Sequence, residues 1–281
     1  MSSNKIQNIY VCSNCDAQSY KWNGRCLECG SWGALQMQTV DQKKNEAEKI
    51  KISPSEIIDL KNLKEKDSSR IKTNISEVDR VLGGGIMPGS LTLLSGEPGI
   101  GKSTIVAQIA NAAGKNSPIV YASGEESAIQ INARLERLKC INNNIKFISE
   151  TNVEKILATV EEIKPSLIVI DSIQTVYTHA VDSEAGSISQ IRASAMNFLE
   201  MAKKKNIAVI LIGHITKDGA IAGPKSLEHI VDTVIYLETD NKQEFRILRA
   251  TKNRFGSINE LGIFEMTSTG FKEIKNPGAI F

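Results

Sequence analysis

The sequence predicts an α/β fold, a mostly parallel sheet with flanking helices, preceded by a small module built on four cysteines. Two observations carry the prediction. Beyond Arg70, short apolar runs alternate with amphipathic stretches, the one-dimensional pattern of buried parallel strands joined by crossover helices. Before Ala34, cysteine, glycine and tryptophan dominate and aliphatic residues are few. Something other than a hydrophobic core must hold that segment together.

The candidate strands are 91–95, 119–122, 145–148, 167–170, 208–213, 233–238 and 245–251, and the helical patterns are 103–113, 128–138, 153–163 and 188–204. Most of the runs are uninterrupted rather than alternating, as strands covered on both faces are. Four zones follow: a metal module at 1–35, a polar linker at 36–68 with a short helix at 54–60, an α/β domain at 69–273 and a tail at 274–281. The linker is assigned from its mixed-charge run, which includes Lys43, Lys44, Glu46, Glu48, Lys49, Lys64, Glu65, Lys66 and Asp67.

Hydrophobic residues make up 41% and charged residues 23% of the 281, with a net charge of +2. That composition fits a globular protein and excludes disordered or collagen-like classes. The near-balanced charge confines any nucleic-acid contact to a local patch. The first residues lack the apolar core of a secretory signal, and no run approaches the ~18 apolar residues of a membrane span. The expectation is therefore a cytoplasmic protein with no membrane contact.

Gly96-Glu97-Pro98-Gly99-Ile100-Gly101-Lys102-Ser103-Thr104 fits the phosphate-loop pattern, and it lies between an apolar strand and a helix as that pattern requires. Its glycines let consecutive N–H groups turn toward phosphate oxygens, and the helix N-terminus adds positive potential. Lys102 is placed to reach the β- and γ-phosphates of ATP, and Ser103 to complete a Mg²⁺ shell. Leu167-Ile168-Val169-Ile170-Asp171 ends a buried strand in one carboxylate, the second expected Mg²⁺ residue. Glu125, in Ser123-Gly124-Glu125-Glu126-Ser127, is expected to orient the attacking water from the strand next to the phosphate-loop strand. A blander reading puts Glu125 and Glu126 in the first turn of the following helix, where the dipole favours acids. His214, closing Leu211-Ile212-Gly213-His214, is the candidate sensor of the γ-phosphate.

Cys12-x-x-Cys15 and Cys26-x-x-Cys29 are two thiolate pairs ten residues apart, with Gly24 and Gly30 beside the second. Two such pairs enclose one tetrahedral Zn²⁺, and with all four positions filled the site is structural. Tyr20, Trp22 and Trp32 surround them. Aromatics in such a place stack on bases, dock on a protein or cover the metal, and the sequence leaves all three open.

Taken together, the cysteine head with Trp22-x-Gly24-x-Cys26 and Gly30-Ser31-Trp32, the phosphate loop and Lys252-Asn253-Arg254-Phe255-Gly256 resemble the bacterial RadA (Sms) family of DNA repair proteins. The resemblance covers nearly the whole chain. It implies a RecA-like P-loop NTPase core organised as a hexameric ring like DnaB-type helicases, a homo-oligomer that binds single-stranded and branched DNA and works with the RecA recombinase. It also implies that Lys252 and Arg254 reach phosphates bound by a neighbouring subunit, or DNA, which is chemically sound because a cation in trans stabilises phosphoryl-transfer charge. The segments 178–190 and 216–229 are the expected DNA loops, with Lys217, Lys225, Lys252 and Arg254 as phosphate contacts. Family members usually continue into a domain resembling the Lon protease, which this sequence, ending at Phe281, is expected to lack. The leading functional expectation is a DNA-dependent ATPase motor. The alternative is a scaffold in which ATP switches binding to DNA or RecA and turnover only resets it.

Overall fold

The computed structural model describes residues 7–13, 17–40, 69–115, 117–214, 226–240 and 245–274. The chain divides into two compact units, Met1–Leu63 and Lys64–Phe281. In the first, β1 (Gln7–Cys12) pairs antiparallel with β2 (Gln18–Ser19) and β3 (Leu35–Val40). Among its described residues Cys12, Cys26 and Leu35 are buried. The segment read from composition as linker thus begins with a strand: residues 35–40 are paired with β1 in full register from Cys12↔Leu35 to Gln7↔Val40. Polar alternation hid it, because a strand with little core beneath it has no apolar face to display. The expected helix at 54–60 lies outside the described residues.

The second unit opens with α1 (Ser76–Val81) and proceeds through β4 (Leu91–Gly96), α2 (Lys102–Ala113), β5 (Ile119–Ser123), α3 (Ala128–Arg137), β6 (Ile145–Ile148), α4 (Val153–Ile163), β7 (Leu167–Asp171), α5 (Ile188–Lys205), β8 (Ala208–His214), β9 (Thr233–Thr239), β10 (Phe245–Asn253), β11 (Leu261–Thr267) and β12 (Gly270–Glu273). The strands form one sheet in the order β12-β11-β10-β9-β4-β8-β7-β5-β6. From β9 to β6 the pairs are parallel, whereas β10, β11 and β12 form an antiparallel meander on the β9 side. The sheet is therefore mostly parallel, and the last strand read from the sequence is antiparallel.

Alternate residues of each central strand feed opposite layers. Leu167 and Val169 of β7, with Ala208, Ile210 and Ile212 of β8, pack with Ile105 and Ile109 of α2 and with Leu248 and Phe264 of the meander. Ile168, Ile170, Val209 and Leu211 pack with Val153, Ile156 and Val160 of α4 and with Ile191, Phe198 and Ala202 of α5. Burial on both faces explains why these strands read as continuous apolar runs. Three of the helices start on side-chain caps: Ser127 and Gln130 form a reciprocal capping box on α3, Asn152 accepts from Lys155 N on α4, and Ser187 accepts from Gln190 N on α5.

Candidate functional site

The loop from β4 to α2 needs glycine at two points. Gly99 and Gly101 lie at φ +77° and +110°, conformations that a Cβ disfavours. At Gly101 the space is closed as well: an added Cβ would lie 2.6 Å from Met266 Cε and 2.8 Å from Phe271 Cζ of the meander. Helix α2 begins with no side-chain cap and no acidic residue in its first turn. Its first N–H groups and the positive end of its dipole are thus left to an outside anion. Lys102 is 4% exposed and donates its Nζ to the carbonyl oxygens of Gly96 and Glu97, each at 2.9 Å. Burial pushes the Lys102 ammonium down from its ordinary pKa, while Asp171 and Glu125 act to hold it up. The donor set and the uncapped helix fit a nucleotide phosphate.

Asp171 ends β7 and is 2% exposed. Tyr121 donates its hydroxyl to Oδ2 at 2.7 Å, whereas the buried Oδ1 has no hydrogen-bond partner. One carboxylate oxygen held and one open, with the hydroxyl of Ser103 at the start of α2, is a hard oxygen donor set of the kind Mg²⁺ takes. Bound there, the ion would neutralise phosphate charge.

Glu125 is not next to the phosphate-loop strand: β8 and β7 stand between β4 and β5. Strand order depends on where later strands insert, which no local pattern records. The carboxylate nonetheless belongs to the site. Ser123 Oγ accepts from the N–H groups of Glu125 and Glu126, at 3.2 and 3.1 Å, turning the chain sharply after β5. Glu125 Oε1 then accepts from Ser172 Oγ and meets His214 Nε2 at 3.2 Å. The His214 bond chiefly holds the Glu125 carboxyl below its ordinary pKa; burial opposes it, and Ser172 and Lys102 add to it. Glu126 instead pairs with Arg134 of α3 and precedes the Ser127 cap, so neither acid lies in the first helical turn.

Tyr121, Ser172 and Gln174 escaped sequence reasoning. Gln174 Nε2 donates to the carbonyl of His214 at 3.4 Å, and its Oε1 is buried without a partner. A signal existed for Ser172 and Gln174, since polar residues directly after a strand-ending aspartate sit where open parallel sheets bind ligands. Tyr121 had none: within Ile-Val-Tyr-Ala it reads as core.

Lys252 follows a register shift in β10, between Ala250 and Lys252. Its Nζ donates to the carbonyls of Glu228 at 2.5 Å and Val231 at 2.8 Å. Arg254 Nη1 lies 3.4 Å from Oδ1 of Asp232, a 1% exposed carboxylate that also receives Lys203 Nζ at 2.8 Å and Leu91 N at 3.1 Å. Both cations are therefore engaged within the chain. Lys217 and Lys225 lie outside the described residues, with most of 216–229. The segment 178–190 is pinned from within, because Gln190 Nε2 donates to the carbonyls of Thr178, Val181 and Ser183 at 2.8 to 3.0 Å.

In the first unit the sulfurs of Cys12, Cys26 and Cys29 lie within 4.8 Å of one another. The Cys12–Cys29 Sγ separation is 3.7 Å. Tetrahedral Zn–S bonds of about 2.3 Å place sulfurs about 3.8 Å apart, so the cluster fits a thiolate metal site. Cys15, the expected fourth ligand, lies outside the described residues.

A phosphate loop leaving a central strand of a mostly parallel sheet defines the P-loop NTPase class. Comparison with known proteins takes this further: residues 56–220 match the AAA domain model, and residues 10–36 match a rubredoxin metal binding domain. The chain belongs to the AAA domain family. It is 44% identical over 283 residues to the DNA repair protein RadA of Listeria monocytogenes, a match covering 100% of this chain and 62% of that protein. RadA of Bacillus subtilis is 43% identical over 287 residues, covering 99% and 62%. The chain thus spans about 62% of the length of these relatives. The RadB recombinase superposes with a TM-score of 0.57 at 22% identity, over 73% of this chain and 100% of that one. A KaiC-like protein from Pyrococcus horikoshii gives 0.61 at 22%, over 74% and 99%. These likenesses establish the RecA-like fold. Among the described residues no helix is long and apolar enough to cross a membrane.

Proposed function

We propose that this chain is a DNA-dependent ATPase, a helicase-like motor acting in the cytoplasm on single-stranded and branched DNA during recombinational repair, together with a RecA recombinase. The observation that carries the reading is the Glu125–His214 contact. Glu125 is the carboxylate placed to orient water on the γ-phosphate, and His214 is the last residue before the polar segment expected to meet DNA. A change of path in that segment alters what holds the carboxylate, which links DNA to turnover. Lys102 then holds the β- and γ-phosphates, Ser103 and Asp171 hold Mg²⁺, and the Cys12, Cys15, Cys26 and Cys29 site holds Zn²⁺. The kinship to RadA proteins supports the repair assignment.

A homo-oligomer, a hexameric ring in this reading, gives Lys252 and Arg254 their partner: the nucleotide of the adjacent subunit. Their engagement within the chain favours a second reading as well, a nucleotide-switched scaffold whose cations are released only in the ATP state. Hydrolysis with and without single-stranded DNA, run beside strand displacement on a forked substrate, separates the two. DNA-dependent hydrolysis with displacement is expected, and Lys102→Ala removes both. Strong DNA-dependent hydrolysis with no displacement would sink the motor in favour of the scaffold.

A further inference from the structure

Trp22 and Trp32 are the two tryptophans of the protein, and both side chains are largely exposed. They are 60% and 78% exposed, with Tyr20 at 78% and Leu27 at 84% beside them in the sequence. Tryptophan is ordinarily well buried. In a unit whose described residues bury little besides Cys12, Cys26 and Leu35, large rings left in solvent are conspicuous, since burying them would add stability.

The rings are also brought together. A Cβ placed at Gly24 would be 3.8 Å from Trp32 Cζ3 and 3.9 Å from Trp22 Cη2, so both indoles border this glycine. Arg25 lies over the Trp32 ring at 6.0 Å, and its Nε donates to the carbonyl of Gly30 at 2.8 Å, so the cation is tethered beside the ring. Lys21 is the exposed neighbour of Trp22.

From this juxtaposition we infer that the Trp22–Trp32 face of the metal module is a stacking platform for the bases of single-stranded DNA, with Arg25 and Lys21 meeting the phosphates. Exposed aromatics interleaved with cations are the chemistry of sequence-tolerant single-strand binding, because every base has a π-face and every nucleotide a charge. The pairing of the aromatics with two cations favours an anionic partner with π-faces over an apolar protein surface. The inference rests on the reading of the chain as one that works on DNA, and assigns the metal module a direct part in it.

The confinement of both tryptophans to this face makes the test direct. Oligothymidylate is titrated into the full-length, zinc-loaded protein without nucleotide; intrinsic tryptophan fluorescence and the anisotropy of the labelled oligonucleotide are read together. Saturable quenching is expected at the concentrations where anisotropy rises. Trp22→Ala and Trp32→Ala should each weaken binding about 5- to 150-fold, the range of one base stack, and Trp32→Phe should recover much of it. Zinc content and basal ATP hydrolysis should stay at wild-type levels, which shows that the variants fold. If anisotropy reports binding but fluorescence stays constant and the double alanine variant binds equally, DNA meets the chain elsewhere; the platform falls and the DNA-acting reading stands. If the double variant keeps its DNA affinity but loses capture of purified RecA, the face is a protein-docking surface and the inference is overturned. No oligonucleotide binding without nucleotide overturns the platform, and none with ATP either removes the DNA-acting reading as well.

Discussion

Glu125 and His214 meet over the end of an intervening strand. Nε2 of the histidine, the last residue of β8, lies 3.2 Å from Oε1 of the glutamate, which follows β5, and β7 runs between those two strands. Ser172, the residue after β7, gives its hydroxyl to the same oxygen. Three adjacent strand ends therefore converge on one carboxylate oxygen.

Glu125→Gln should lower ATP turnover about 10²- to 10⁴-fold, the range of a lost general base, with nucleotide affinity unchanged by equilibrium titration. His214→Ala should act more mildly and through pH. Its donor chiefly holds the Glu125 carboxyl below the ordinary 4.5, so the stability from this pairing is present above that value and lost as pH falls through the folded-state pKa. Removing the histidine moves the acid limb of the turnover profile to higher pH. A profile that stays in place would show that His214 does not act on Glu125.

Tyr121 orients Asp171 through Oδ2 and leaves Oδ1 open. Tyr121→Phe keeps the ring in the core and removes the one bond. The expected outcome is a higher Mg²⁺ concentration for half-maximal turnover, by roughly 10- to 150-fold for a hydrogen bond to a charged group. Binding of fluorescent ADP should change in Mg²⁺ and not in EDTA. Equal loss in both conditions would mean a packing defect instead.

Chelation should separate the two units. Thiolate ligation contributes on the order of 10 kcal/mol to a small module, and among the described residues of Met1–Leu63 the buried cluster is Cys12, Cys26 and Leu35. Removing the metal, or Cys26→Ser, should unfold that unit while ATP binding by Lys64–Phe281 persists. A colorimetric zinc assay with near-UV circular dichroism checks this, and acidification should release the ion because the ligands must be thiolates.

Lys252→Ala leaves the carbonyls of Glu228 and Val231 without their donor. A loss of about 1–3 kcal/mol of stability is expected, read as a lower denaturant midpoint, with nucleotide binding kept and DNA-stimulated strand displacement lost.

Much of this was legible in the residues, for identifiable reasons. The strands around Leu93, Val169 and Leu211 announce themselves because both of their faces are covered. The phosphate loop is a local pattern whose meaning needs only the strand before it and the helix after it. Helix α1 is six residues long with no side-chain cap at Ile75, too short to establish a period. In β11 and β12 only Gly262, Phe264, Gly270 and Phe271 are buried, so the meander offers a weak apolar alternation. Glu125 was found by its place at a strand end, but its distance from β4 in the sheet was not, because order is a property of the whole chain.

The contact of Gly101 with Met266 and Phe271 has a consequence for inheritance. The turn that receives phosphate and the last hairpin of the domain are shaped against each other, although more than 160 residues of sequence separate them. A bulkier side chain on the hairpin would be felt in the loop as a lost conformation, and drift at either place is tolerated only when the other yields room. The two segments should therefore vary as a pair among descendants of this chain, as positions joined by contact do.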